Sequence, residues 1–209
     1  MPLAKNDNAR ARLLSIIQHD VQRLDRLISD ISDASRLDAE LVREDAEPID
    51  MHRLVDTVVT IASERRRPHD PKIELAPLPR HHDTPPDFMI DGHDSRLAQV
   101  LSNLIDNARS FSPPDGTVRV AMRRDRDEIE VTVEDDGPGI PPHALERIFE
   151  RFYTDRPDHG FGQNSGLGLS ISRQIVEAHR GTIRATNRRT EGPRRGARFT
   201  MRLPAAHAA

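Results

Sequence analysis

Apolar residues recur every three or four positions from Leu14 to Ile31, at Leu14, Ile17, Val21, Leu24, Ile28 and Ile31, with Arg23, Asp25, Arg26 and Asp30 between them. That spacing predicts a coiled-coil or bundle helix, which needs a partner to bury its seam. The pattern fades by Ser35 and Asp38. Pro48 stops any continuous helix, so residues from Asp45 to Asp50 read as a short linker. Asp50 can cap a second helix carrying Leu54, Val55, Val58, Val59 and Ala62 on one face as far as Arg65-Arg66-Arg67. A proline-rich stretch from Pro68 to Pro86 follows, with short strand candidates at Ile73 to Leu75 and Phe88 to Ile90. A third helix is predicted from Ser95 to Ser110. Alternation in Val118, Val120 and Met122, and again in Ile129, Val131 and Val133, predicts two strands joined as a hairpin through Arg123 to Glu128. A loop-rich interval leads to a helix from Leu167 to His179 and strands at Thr182 to Ala185 and Arg198 to Leu203. Together these elements predict an α/β sandwich: one mixed sheet with helices over one face.

The length of 209 residues allows one good core plus an appendage. The division expected is 1–45 for the helical arm and 46–209 for the folded domain. With no cysteine, a disulfide framework, a thiolate nucleophile and a zinc-thiolate site are all excluded. No apolar run approaches the roughly 20 residues of a membrane helix, and the polar start Lys5-Asn6-Asp7-Asn8 does not resemble a signal peptide. A soluble, cytoplasmic piece is the expectation. A formal net charge of −3 gives no general attraction for nucleic acid, so the arginine clusters read as solvated surface.

Three segments place glycine, acid and amide side chains together. Asp135-Asp136-Gly137-Pro138-Gly139-Ile140 directly follows a predicted strand. A carboxylate there can accept from the exocyclic amine of a base, and glycines let backbone press against a flat ring, although an ordinary turn has the same composition. The run from Gly160 through Gly166-Leu167-Gly168-Leu169 enters a helix, where free amides and the positive dipole end suit phosphate. Its spacing is neither the dinucleotide fingerprint nor the lysine-bearing phosphate loop. Asn103 and Asn107 share a face of the third helix, opposite Leu97, Val100, Leu101, Leu104 and Ile105. A side-chain amide oxygen is a hard ligand suited to magnesium already bridged to phosphate; a solvated polar face is the alternative.

Taken together, these segments resemble the nucleotide-binding domain of bacterial sensor histidine kinases, in the superfamily of gyrase, the ninety-kilodalton heat-shock chaperone and the mismatch-repair ATPases. The asparagine box is Asn103 to Asn107, the first glycine box Asp135 to Gly139, the phenylalanine box Ile148-Phe149-Glu150-Arg151-Phe152-Tyr153, and the second glycine box Gly166 to Gly168. Gly196 to Pro204 is similar to the closing strand. The arm sequence Asp20 to Leu27 and the arginine richness resemble alphaproteobacterial envelope or acid-stress sensors of the ChvG type.

The resemblance implies a Bergerat-type ATP-binding fold, with ATP and Mg2+ as cofactors. It implies that Asp135 recognises the adenine amino group, that Asn107 ligates magnesium, and that Asn103 supports the phosphates or the reacting geometry. Gly137, Gly139 and Ile140 would line the base end. Gly166, Leu167, Gly168 and Leu169 would cradle phosphate, with Tyr153 and Ser165 also at the nucleotide. Pro141 to Ser165 would form a mobile lid, with Phe149 and Phe152 as apolar hooks.

Two positions depart from the family pattern. Ser110 stands where a lysine is usual, and Thr154 follows the phenylalanine box where a basic residue is common, so the balancing charge is assigned to Arg109 and Arg156.

In the family, the γ-phosphate passes to a histidine on a helical hairpin and then to a response regulator. His19-Asp20 lacks the residues that should follow such an acceptor. The chain is therefore expected to start inside the hairpin turn, to carry only its second helix, to pair with another copy through it, and to bind nucleotide without phosphorylating itself. The parent protein would be anchored in the inner membrane. The alternatives are a degenerate nucleotide-binding sensor without transfer, and a serine-directed anti-sigma kinase, which the phenylalanine box and the arm disfavour.

Overall fold

The computed structural model describes Arg10, Leu14, Ile17 and Val21 together with residues 46–78, 87–153, 166–188 and 195–206. In chain order these form β1 (Glu47–Asp50), α1 (Met51–Glu64), β2 (Lys72–Leu75), β3 (Met89–Gly92), α2 (Asp94–Phe111), β4 (Thr117–Asp125), β5 (Glu128–Glu134), α3 (Gly168–Ala178), β6 (Thr182–Asn187) and β7 (Ala197–Pro204). Five strands make a mixed sheet in the order β2-β4-β5-β7-β6. Only the β2–β4 pair is parallel.

Alternation along the strands sends Val118, Val120 and Met122, Ile129, Val131 and Val133, and Phe199, Met201 and Leu203 to one face, where all are buried. That face meets the apolar stripes of the helices: Met51, Val55, Val58 and Val59 of α1, Leu97, Val100, Leu101, Leu104, Ile105 and Ala108 of α2, and Ile171, Ile175 and Val176 of α3. The predicted layering of helices over one face is therefore what forms.

The opposite face carries charged cross-strand rows. Arg123, Glu130 and Arg202 lie side by side on β4, β5 and β7, as do Arg119, Glu134 and Arg198. Glu130 accepts from Arg123 Nε at 2.6 Å and from Arg202 Nε at 2.9 Å. The Arg123 bond is the main reason its carboxyl lies below the usual carboxylate range, with Arg202 adding to it against the cost of burial.

Three expectations are corrected. The stretch around Asp45 to Asp50 is not simply a linker, because Glu47–Asp50 forms a strand. It pairs antiparallel with Met89–Gly92 in a separate two-stranded sheet, so the strand expected at Phe88 to Ile90 does not join the main one. Pro48 hides this strand from propensity, since proline is tolerated where a strand has no second neighbour. Asp50 still caps α1, its Oδ1 accepting from the amides of His52 at 2.9 Å and Arg53 at 3.3 Å. The β4–β5 hairpin is also tighter than predicted, because pairing runs to Asp125 opposite Glu128 and only Arg126 and Asp127 turn the chain. Of the arm, the four described residues are helical, and Leu14, Ile17 and Val21 are 65%, 53% and 51% exposed. The rest of the predicted seam lies outside the described residues.

A buried histidine bolts α3 to the start of α2. His179 Nε2 accepts from the amide of His93 at 3.0 Å, so Nδ1 carries the proton and donates to Ile175 O at 2.7 Å. A Cβ on Gly92 would come within 2.6 Å of this ring, so the end of β3 needs glycine. Burial holds the His179 pKa below the ordinary value and His93 pushes the same way, although the Ile175 carbonyl opposes them. The unfolded chain therefore takes up a proton that the folded ring resists. Stability attributable to His179 is full above the unfolded pKa of about 6.5 and is lost as pH falls from there toward the lower folded value. Melting temperatures of the wild type and His179→Gln should therefore converge between pH 7.5 and pH 5; a gap that does not change with pH would contradict this linkage.

Candidate functional site

The first glycine turn leaves the sheet where β5 ends. Asp135 is 2% exposed, and its Oδ1 accepts from the amides of Gly137 at 2.8 Å and Ala197 at 3.0 Å. Neither bond goes to Oδ2. Burial raises its pKa, and the two amides and the charge of Arg188 only partly offset this. Asp136 behaves differently. Burial works against its charge too, yet the Thr117 amide at 2.9 Å and Arg188 Nη1 at 2.6 Å hold its carboxyl below the usual range. Gly137 is required by contact, because a Cβ there would lie 2.8 Å from Phe111 O. Gly139 has φ +80°, the left-handed region in which a side chain is strained. Ile140 follows, buried at 9% exposure.

The second glycine segment abuts the asparagine helix. Asn103 Nδ2 lies 3.3 Å from Gly168 O and 3.4 Å from Ser172 Oγ. A Cβ on Gly168 would sit in ordinary contact with the Asn103 amide, 3.6 Å away, and would fill the space beside it. At the start of α3 the amides of Gly168, Leu169 and Ser170 have no acceptor within the helix, and no side chain caps Leu167. Leu167 is itself buried, and its carbonyl accepts from Ile171 N and Ser170 Oγ. Gly166 has φ +72°, and its carbonyl accepts from Phe152 N at 3.0 Å, which places it beside Tyr153. Arg156 and Ser165, two of the predicted nucleotide contacts, lie outside the described residues.

Helix α2 joins the two ends. Its Asn103 touches the start of α3 and its Phe111 touches the Gly137 turn, eight residues or about 12 Å further along at 1.5 Å per residue. Asn107 sits between them, half-buried. Arg109 is drawn to its own helix, its Nη2 lying 2.9 Å from Asp106 Oδ1.

The expected lid is corrected in its first half. Pro141 to Tyr153 is built of two 3-10 turns, Pro142–Ala144 and Arg147–Phe149, seated on Ala144 and Phe149, which are 0% and 5% exposed. Phe149 is thus no lid hook. Its ring meets Phe199 of β7 edge-on at 6.4 Å and lies under the Arg173 guanidinium at 4.0 Å. Phe152 alone faces out, 62% exposed.

Sequence reasoning missed what holds the first glycine turn in place. Asn187, Arg188, Arg195 and Gly196, at the open ends of β6 and β7, all bind it. Arg188 reaches Glu134 Oε2 at 3.0 Å, Asp135 O at 3.0 Å and Asp136 Oδ1. Gly196 N donates to Gly137 O at 2.9 Å, and Arg195 Nε donates to Pro138 O at 3.2 Å. Gly196, with φ +63°, leaves no room for a Cβ against Asp135 O. The glycine at the end of Arg194-Arg195-Gly196 was the one signal the sequence offered.

Residues 92–207 match the family described as Histidine kinase-, DNA gyrase B-, and HSP90-like ATPase. The chain is 51% identical over 208 residues to the sensor protein ChvG of Rhizobium meliloti (strain 1021), an overlap covering 98% of this chain and 36% of that protein. It thus spans about a third of the length of the curated relatives it matches first. Among solved structures it resembles the mycobacterial sensor histidine kinase MprB, with 29% identity and a TM-score of 0.63 over 78% of this chain and 99% of that one. It also resembles full-length ShkA in complex with AMPPNP, with 26% identity and a TM-score of 0.74 over 95% of this chain and 39% of that one.

Proposed function

Because the chain belongs to the family of histidine kinase-, DNA gyrase B- and HSP90-like ATPases, in the form of a sensor histidine kinase catalytic domain, we propose that it binds magnesium-ATP and presents the γ-phosphate to a histidine. The observation that carries this reading is α2. One rigid helix fixes the distance between a buried carboxylate suited to an exocyclic amine and a helix start whose first amides have no acceptor within the helix and suit phosphate, and it carries an amide side chain between the two.

The residues fit the absent nucleotide and metal. Gly168 leaves space beside Asn103 that a Cβ would occupy, and Asn107 offers a hard oxygen between base and phosphate ends. Asp135 would accept from the adenine amine, Gly137, Gly139 and Ile140 would border the ring, and Gly166 to Leu169 would take the phosphates. A bound magnesium ion would offset phosphate charge that the amides only partly neutralise. Asn103 would hold the reacting end by its contact with Gly168. Tyr153, Arg109, Arg156 and Ser165 belong to the same proposal. The acceptor histidine, the response regulator that receives the phosphoryl group and a membrane anchor belong to the parent protein. Leu14, Ile17 and Val21, exposed at helical spacing, would pair the arm with a second copy. Among the described residues no helix is long and apolar enough to cross a membrane.

The chain incubated with labelled ATP and a separate hairpin bearing the acceptor should yield acid-labile phosphate on histidine, and the chain alone should yield none. Tight nucleotide binding with no transfer would favour a degenerate sensor, a reading to which the pairing of Arg109 with Asp106 lends weight. Absence of nucleotide binding would overturn both.

A further inference from the structure

We propose that Asn187, the last residue of β6, is a positioning residue for the base end of the site; the inference rests on the nucleotide-binding reading above. Its carboxamide grips one residue by both backbone groups: Oδ1 accepts from Ile140 N at 2.7 Å, and Nδ2 donates to Ile140 O at 2.8 Å. Such a reciprocal pair is ordinarily supplied by a neighbouring strand. Here β5 has already ended, and its β7 pairing closes with Asp135 N donating to Ala197 O. A single side chain from β6, 47 residues away in sequence, takes over the strand's role.

The two ends of the glycine turn have separate holds. Arg188, Gly196 and Ala197 fasten Asp135 to Gly137. From Pro138 onward the described hydrogen bonds that hold the turn are those of Asn187 on Ile140 and of the half-buried Arg195 on Pro138 O. The approach is close, because a Cβ on Gly139 would lie 2.6 Å from Asn187 Oδ1. Ile140 is 9% exposed, so without Asn187 its amide and carbonyl would be paired poorly by water, and the turn would shift to find partners. The edge that borders the ring would then move relative to the Asp135 carboxylate, which Ala197 and Gly137 keep in place. Asn103, Gly166 and Gly168 stand on other elements and are not held by Asn187. The effect should therefore fall on base recognition and spare phosphate binding.

The test is calorimetric titration of the full chain with ADP and with IDP, whose base carries a carbonyl in place of the exocyclic amine, both with magnesium at 10 °C. The wild type should prefer ADP. Asn187→Ala should lose about tenfold in ADP affinity, as expected for two hydrogen bonds at one point of a preorganised site. Its preference for ADP over IDP should shrink while IDP affinity changes little, and Asn187→Ser, which keeps one partner, should fall between. If Asn187→Ala melts at a lower temperature but keeps the wild-type ADP-to-IDP ratio, Asn187 is only structural and the proposal is overturned. Equal losses for ADP and IDP overturn it as well. A wild-type chain that binds neither nucleotide would instead sink the underlying function.

Discussion

Replacing Asp135 by asparagine should lower affinity for adenine nucleotides by about 10- to 100-fold and leave the chain folded, the size expected for a hydrogen bond to a charged group. The geometry dictates the direction. Oδ1 of Asp135 is committed to the amides of Gly137 and Ala197. Asparagine can meet both amides only with its carbonyl oxygen, which forces its NH2 group into the place of Oδ2. A donor then confronts the donor of the adenine amine, and an attraction becomes a clash. Burial raises the pKa of the wild-type carboxyl, with the Ala197 and Gly137 amides opposing. The proton that spoils the acceptor thus arrives at a higher pH than for an exposed aspartate. Wild-type affinity for ADP should fall on acidification through that raised value, and the variant's should stay flat over the same interval. Calorimetry with ADP at a series of pH values reads both effects. Wild-type affinity in Asp135→Asn would remove this carboxylate from the base site.

How much of this was legible beforehand depends on how far apart in sequence the partners lie. The helices α1, α2 and α3 and the strands β4 to β7 follow from local periodicity, and the structure forms them within a few residues of the expected bounds. Local composition also marked both glycine turns and the asparagine pair. What periodicity could not show was pairing across long stretches of chain. Strand β1 has four residues, one of them Pro48, and exists because Met89–Gly92 lies alongside. Asn187 reads as the unremarked end of a strand until Ile140 is brought against it. His179 reads as a polar helix end until its ring is seen to fill the space Gly92 leaves. The site was visible as a set of walls; the ties that set their spacing, from β6 and β7, were written in residues with no motif of their own.

The phenylalanine box shows the same limit and yields the largest expected loss of stability. Phe149 and Phe152 are equal letters three apart, and both were expected to be lid hooks. A 3-10 turn ending at Phe149 followed by extended Glu150 separates their fates, one ring entering the core and the other solvent. Phe199 of β7 is 2% exposed and supports Phe149 edge-on, while Arg173 of α3 covers the far side of the Phe149 ring. Sheet, 3-10 turn and helix thus meet through two aromatic rings and one guanidinium. Phe199→Ala should cost about 3–5 kcal/mol, because it leaves a cavity under Phe149 that the turn cannot fill without withdrawing from Arg173. At about 2–4 °C per kcal/mol for a chain of this size, the melting temperature should drop by roughly 6–20 °C. Paired substitutions Phe149→Leu and Phe199→Leu should be non-additive by about 0.5–1.5 kcal/mol, the size of an aromatic pair's contribution beyond burial. Phe152→Ala removes an exposed ring and should change stability by no more than about 0.5 kcal/mol. Thermal and urea unfolding of the four single variants and the double variant decide the matter. If Phe152→Ala unfolds as early as Phe199→Ala, the outward ring is the structural one and the assignment of Phe149 to the core is wrong.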